Sequence, residues 1–134
     1  MRVSRINSGI GNLKKRVAAY CRVSTDQESQ QDSFITQQRY YSEYISRNSQ
    51  WEMVDIYADE GKSATSARRR PEFMRMIKDA CEGKIDMILT KCISRFARNV
   101  VDCQTYSREL KSRGVEVRFE REGISNMDSS ADFI

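Results

Sequence analysis

Apolar and polar positions in this 134-residue chain fall into alternating blocks of two kinds. One kind is short and densely apolar. The segments "RVAAYCRV" (16–23), "WEMVDIYAD" (51–59) and "IDMILT" (85–90) have the length and residue types of buried strands. "VEVRF" (115–119) alternates apolar with polar and predicts a strand with one less buried face. The other kind is longer and has helical spacing. "SFITQQRYYSEYISRN" (33–48) puts Phe34, Tyr41 and Ile45 on one face, with Tyr44 beside them and Asp32 or Ser33 as N-cap. "PEFMRMIKDACEG" (71–83) opens on Pro71, suited to a first turn, and closes on Gly83, suited to a C-terminal cap. Its inward stripe is Phe73, Ile77, Ala80 and Cys81. A third helix runs from about Arg98 to Arg113, with Val100, Cys103, Tyr106 or Ser107, and Leu110 inward, and stops at Gly114.

The resulting order, β-α-β-α-β-α-β, is that of an α/β domain with a largely parallel sheet. In such sheets the reactive residues collect at the carboxyl ends of the strands. Residues 1–15 are polar, contain Gly9 and Gly11 and follow no period, which predicts a flexible N-terminal arm ahead of a single domain over 16–134. The segments "TDQESQQD" and "EGKSATSARRR" are polar loops after the first and second strands.

Composition narrows the chemistry. The chain has no histidine, which removes Ser-His-Asp and Cys-His catalysis and the histidine-based metalloprotease motifs. The four cysteines, Cys21, Cys81, Cys92 and Cys103, form no C-x-x-C pair. Cys21, Cys81 and Cys92 lie in apolar stretches and Cys103 on a helix stripe, so they read as small core residues of a reduced, cytoplasmic protein, with no metal site. No apolar run approaches the roughly 20 residues that span a bilayer, and the basic N-terminus lacks the apolar segment of a secretory signal. Tyr40, Tyr41 and Tyr44 share one helix and read as packing residues, and Trp51 as core.

The net charge of +4 says less than its distribution. Arg2, Arg5, Lys14, Lys15, Arg16 and Arg22 precede the first acid; Lys62, Arg68, Arg69 and Arg70 form a second group; Lys91, Arg95 and Arg98 form a third. Separate basic clusters suit a polyanion such as DNA. Several of these residues sit at strand ends. Arg22 and Ser24 are two apart, so an extended strand sends both to one face. Asp59 ends the second strand, and Gln37 on the first helix can reach the same rim. Arg95 and Arg98 are three apart and would share a face at a helix start. Arg70 precedes Pro71 where an N-cap acceptor is expected, and arginine offers none. A serine among arginines suits a phosphodiester, because guanidinium forks match phosphate and stabilise an alkoxide without a histidine base. Two other classes stay open on these residues. A regulatory or nucleotide-binding α/β module would place a Gly-rich loop after the first strand, and "CRVSTDQESQ" has no glycine. A DNA-docking module without catalysis would have no need of the serine and the arginines, and all are present.

The ordered motifs "YCRVSTDQ", "SFITQQR", "RRPEF", "ISRFARN" and "REGIS" resemble those of the serine recombinase (resolvase/invertase) catalytic domain and cover roughly Val17 to Ser125. Their forms are more similar to the large serine recombinases of mobile elements than to small resolvases. The resemblance implies a three-layer resolvase-like fold, double-stranded DNA recombination sites as substrate, self-association to dimers and tetramers in the intact protein, a bacterial setting, and no cofactor or metal. It implies Ser24 as nucleophile, forming a 5′-phosphoseryl link, with Arg22, Arg70, Arg95 and Arg98 holding the phosphate. Arg22 matches the neighbouring arginine and Gln37 the supporting glutamine; Asp59 matches the carboxylate ending the second strand and Arg70 the arginine before the short helix; Arg95 and Arg98 match the pair gripping the scissile phosphate. Ser94 stands where small resolvases have aspartate, which leaves proton transfer unassigned. The resemblance further implies that the chain stops before the long oligomerisation helix and that this piece alone does not recombine DNA.

Overall fold

The computed structural model of the protein describes residues 13–23, 33–60, 70–97 and 99–128. In chain order the elements are β1 (Lys15–Val23), α1 (Phe34–Ser46), β2 (Trp51–Glu60), α2 (Pro71–Cys81), β3 (Met87–Thr90), α3 (Ile93–Phe96), α4 (Val100–Ser112), β4 (Glu116–Phe119) and β5 (Ile124–Ser125). The expected α/β order holds, with two additions. One is α3, a single turn. The other is β5, which pairs antiparallel with β4. The sheet order is β2-β1-β3-β4-β5, and β1/β2, β1/β3 and β3/β4 are parallel. Consecutive crossovers therefore leave β1 in opposite directions, which puts the topological switch point, where open α/β sheets bind ligands, between the carboxyl ends of β1 and β3.

Alternation along β1 divides the core in two. Val17, Ala19 and Cys21 face α1 and pack with Tyr41, Ile45, Met87 and Leu89. Ala18 and Tyr20 face the other way, among Phe73, Met76, Ile77, Ala80, Phe96, Cys103, Leu110, Val117 and Phe119 of α2, α3, α4 and β4. The result is three layers. Val117 and Phe119 are buried on β4 while Glu116 and Arg118 are half-buried, as its alternation predicts. Several expected core positions differ, and all lie at element ends that overhang the sheet. Phe34, first in α1, is 41% exposed, and Val100, first in α4, is 54% exposed. Cys81, last in α2, is half-buried, and Met76 fills the stripe instead. Trp51, first in β2, is half-buried against Tyr44. Among the described residues no helix is long and apolar enough to cross a membrane.

Helix ends follow their capping chemistry. The Ser33 hydroxyl accepts from Thr36 N at 3.2 Å, resolving the N-cap of α1. Gly83 and Gly114 take φ of +82° and +79° just past α2 and α4, a conformation that glycine adopts at no steric cost. The N-cap of α2 is Arg70, whose side chain makes no capping bond. The acceptor comes from another element. Asp59, near the end of β2, takes Glu72 N on Oδ1 and Phe73 N on Oδ2, each at 2.9 Å. At the opposite end of the sheet, Arg16 donates to both carboxylate oxygens of Asp86, at 3.0 Å each.

Asp59→Ala is expected to leave two helix N–H groups and the buried Tyr20 hydroxyl without their acceptor, costing about 3 kcal/mol and roughly 10 °C in melting temperature. Asp59→Asn, which keeps one acceptor oxygen, should lose less; a wild-type melting curve for the alanine variant would remove Asp59 from this role. Burial raises the Asp86 carboxyl, but its bonds and charge pairing with Arg16 outweigh that and hold it below the ordinary carboxylate value. Stability from a lowered carboxylate is present above the unfolded value and lost as pH falls through the folded one. The pair is 31% and 38% exposed, so solvent screens it. Asp86→Asn should cost no more than about 1 kcal/mol near neutral pH. Its deficit should vanish in acid, as denaturant titrations at several pH values would show.

Candidate active site

The carboxyl ends of β1 and β3 carry the arginines. Arg22 lies one residue before the end of β1, opposite Asp59 in the β1/β2 register. Its Nη1 donates to the backbone carbonyl of Ser94 on α3 at 3.2 Å. Gln37, from α1, donates Nε2 to the carbonyl of Arg22 at 3.1 Å. The end of β1 is thus tied to a helix on each face of the sheet.

Arg95 sits on α3, just beyond β3, and is half-buried. α3 ends at Phe96, and Ala97 has an extended backbone (φ −147°, ψ 149°). The helix that carries Arg95 thus stops before position 98, and the expected shared face of Arg95 and Arg98 falls outside the described residues. Ser24 and Arg98 lie outside the described residues, as do residues 24–32 and 61–69, where the sequence predicts loops.

Arg70 is 1% exposed, the largest side chain in the fully buried set. Its Nη1 donates to the carbonyl of Phe96 at 2.8 Å and of Arg95 at 3.3 Å. The guanidinium carbon lies 3.9 Å from the centroid of the Phe73 ring and 5.6 Å from that of Tyr20. Nε and Nη2 are buried without a hydrogen-bond partner. A desolvated guanidinium is costly, and the two ring faces and two carbonyls offset part of that cost. In this arrangement Arg70 props the α3 turn from beneath and does not line an open surface.

Asp59 is equally interior, at 5% exposure. Besides the two α2 amides it accepts the Tyr20 hydroxyl at 2.8 Å. Burial pushes the Tyr20 phenol up; the Arg70 charge pulls it back, and Asp59 adds to the rise. The phenol therefore stays protonated and donates. Tyr20 was not among the residues singled out from the sequence. Its signal was available: a tyrosine two residues before Arg22, on a buried strand, requires a partner for its hydroxyl.

A carboxylate at the end of β4 was also passed over. Glu120 accepts the hydroxyl of Tyr41 at 2.9 Å and of Tyr40 at 3.4 Å, fastening α1 to β4. Burial raises its carboxyl, opposed by the two tyrosine bonds and the Lys91 charge. Beneath this rim, burial pushes the Cys21 thiol up to about 12; Glu120 adds to the shift and Arg95 opposes it. Cys21 is accordingly a thiol, not a thiolate nucleophile. Chemically, half-buried Arg22 and Arg95 sit at the carboxyl ends of β1 and β3, beside the capped start of α2, and guanidiniums there suit an anion with tetrahedral oxygens.

The family model "Resolvase, N terminal domain" matches residues 17–134. Among solved structures, a resolvase family site-specific recombinase from Streptococcus pneumoniae is 32% identical, with a TM-score of 0.69 over 87% of this chain and 80% of that one. The N-terminal catalytic domain of TP901-1 integrase has the same fold, with a TM-score of 0.69 at 24% identity over 88% of this chain and 87% of its own. So does the C-terminal catalytic domain of ISC1926 TnpA, an IS607-like serine recombinase, with a TM-score of 0.64 at 17% identity over 78% and 68%. No curated protein matches the sequence. The strand-end arginines, the resolvase-like layers and the family match agree, and the chain belongs to the resolvase N-terminal domain family, as a serine site-specific recombinase catalytic domain.

Proposed function

We propose that this domain cuts and rejoins double-stranded DNA by transesterification, with Ser24 as nucleophile. The Ser24 oxygen attacks the scissile phosphorus in line. The new bond is a 5′-phosphoseryl ester; the bond to the 3′ oxygen breaks, and that oxygen leaves as a hydroxyl after taking a proton. The serine proton passes to water or a nearby base. After strand exchange a 3′ hydroxyl attacks the ester and releases Ser24. One phosphoester replaces another at each step, so no external energy source is required.

Arg22, Arg95 and Arg98 hold the phosphate oxygens and stabilise the charge that builds on them. Gln37 fixes the end of β1. Asp59 and Arg70 act as positioning groups, Asp59 by capping α2 and Arg70 by holding the carbonyls of α3. Residues 16–134 form the catalytic unit, and dimers and tetramers of the intact protein bring two DNA sites together. The observation that carries this reading is the bond from Arg22 Nη1 to the Ser94 carbonyl. It joins the two arginine-bearing segments at the switch point of the sheet.

The test uses the full-length recombinase on DNA carrying its recombination sites, quenched during reaction. A covalent peptide–DNA adduct should map to the peptide containing Ser24 and be absent in Ser24→Ala. An adduct on another peptide would move the active site, and cleavage without an adduct would indicate hydrolysis. Arg95→Lys should slow adduct formation by about 10²–10³, because a point charge does not reproduce a guanidinium fork. A near wild-type rate in that variant would count against Arg95 as a phosphate ligand.

A further inference from the structure

The α3 turn carries Arg95 and the Ser94 carbonyl that Arg22 bonds, yet it has little stability of its own. It spans only Ile93–Phe96, and its N-cap residue, Cys92, makes no side-chain capping bond. A lone turn fixes several backbone angles for very few hydrogen bonds, so it must be held from outside. Arg70 holds its carboxyl end. Its amino end is held by the turn between β4 and β5. Glu120 N donates to Thr90 O at 3.0 Å, and Arg121 N to Lys91 O at 2.7 Å. These bonds carry the β3/β4 pairing past the ends of both strands, to Lys91 and Arg121. The next contact is made by a side chain: Ile93 N, at the first helical position, donates to Glu122 Oε1 at 3.2 Å. Gly123, with φ +67°, closes the turn and donates to the carbonyls of Phe119 and Glu120, which keeps Glu122 beside α3.

We propose that Glu122 is a positioning residue for Arg95 and Arg22: its carboxylate replaces the missing N-cap of α3 and fixes the turn that presents one guanidinium and anchors the other. The inference rests on the reading that these arginines hold the scissile phosphate. A carboxylate suits the place because it satisfies an amide left over at a helix start.

The experiment compares Glu122→Ala and Glu122→Gln in the full-length recombinase, with Ser24→Ala as reference. It measures the rate of adduct formation with all sites bound, DNA affinity, melting temperature and amide exchange at residues 93–96. Glu122→Ala should slow adduct formation by about 10- to 100-fold, the effect of a displaced catalytic group, with DNA affinity and melting temperature near wild type. Exchange at Ile93 should quicken by about tenfold. Glu122→Gln retains an acceptor oxygen and should recover most of the rate and the protection. A wild-type rate in Glu122→Ala, a Gln variant as slow as the Ala variant, or a rate loss that follows the loss of melting temperature would each overturn the proposal. If Ser24→Ala still forms the adduct, the reading of the whole site fails. If Ser24→Ala is silent and Glu122→Ala reacts normally, only the inference about Glu122 fails.

Discussion

The carboxylate of Asp59 is the point on which the two halves of the site depend. It takes the Tyr20 hydroxyl from β1 and two amides from α2, so one side chain on β2 locks three elements together at the carboxyl edge of the sheet. All three donors sit in or beside the core, and each would be costly to leave without an acceptor. Because α2 starts immediately after Arg70, fixing its first turn also fixes where Arg70 enters the interior. From there the guanidinium reaches the carbonyls of Arg95 and Phe96. A chain of polar contacts thus runs from β2 through α2 to α3, largely out of reach of water.

The arrangement divides labour between arginines of the same charge. Arg70 is committed inward, stacked on Phe73 with two nitrogens that find no partner. Arg22 and Arg95 are half-buried at the rim. A buried cation without a carboxylate lowers stability unless the fold gains something from it. Here the gain is a fixed single turn of helix that could not hold its shape alone.

Much of this architecture was legible from residue pattern alone. Dense apolar runs gave the parallel strands, and the alternation in "VEVRF" correctly gave one buried and one half-buried face. The capping residues Ser33 and Gly83 also did what their chemistry predicts. The errors within helices have one physical origin: periodicity describes a helix as if it were endless. Phe34 and Val100 match the inward phase but lie at first turns that overhang the sheet. The oddity at Arg70 was visible as an arginine where a cap acceptor belongs. Its resolution was not, because Asp59 is eleven positions earlier and only the β2–α2 packing brings it there. Tyr20 and Glu122 were missed because their importance lies in partners distant in sequence.

The burial of Cys21 has a consequence for watching this domain at work. Its thiol sits under the rim at 1% exposure, between the end of β1 and α1, and is raised far from thiolate formation. It packs against α1, the helix whose Gln37 holds the Arg22 carbonyl, so an alkylating reagent would need that layer to open. Cys92 and Cys103 are also buried, and Cys81 is half-buried on α2, on the opposite face. The chain therefore carries a native clock. The labelling rate of one interior sulfur would count the openings of the wall packed on the strand that carries Arg22.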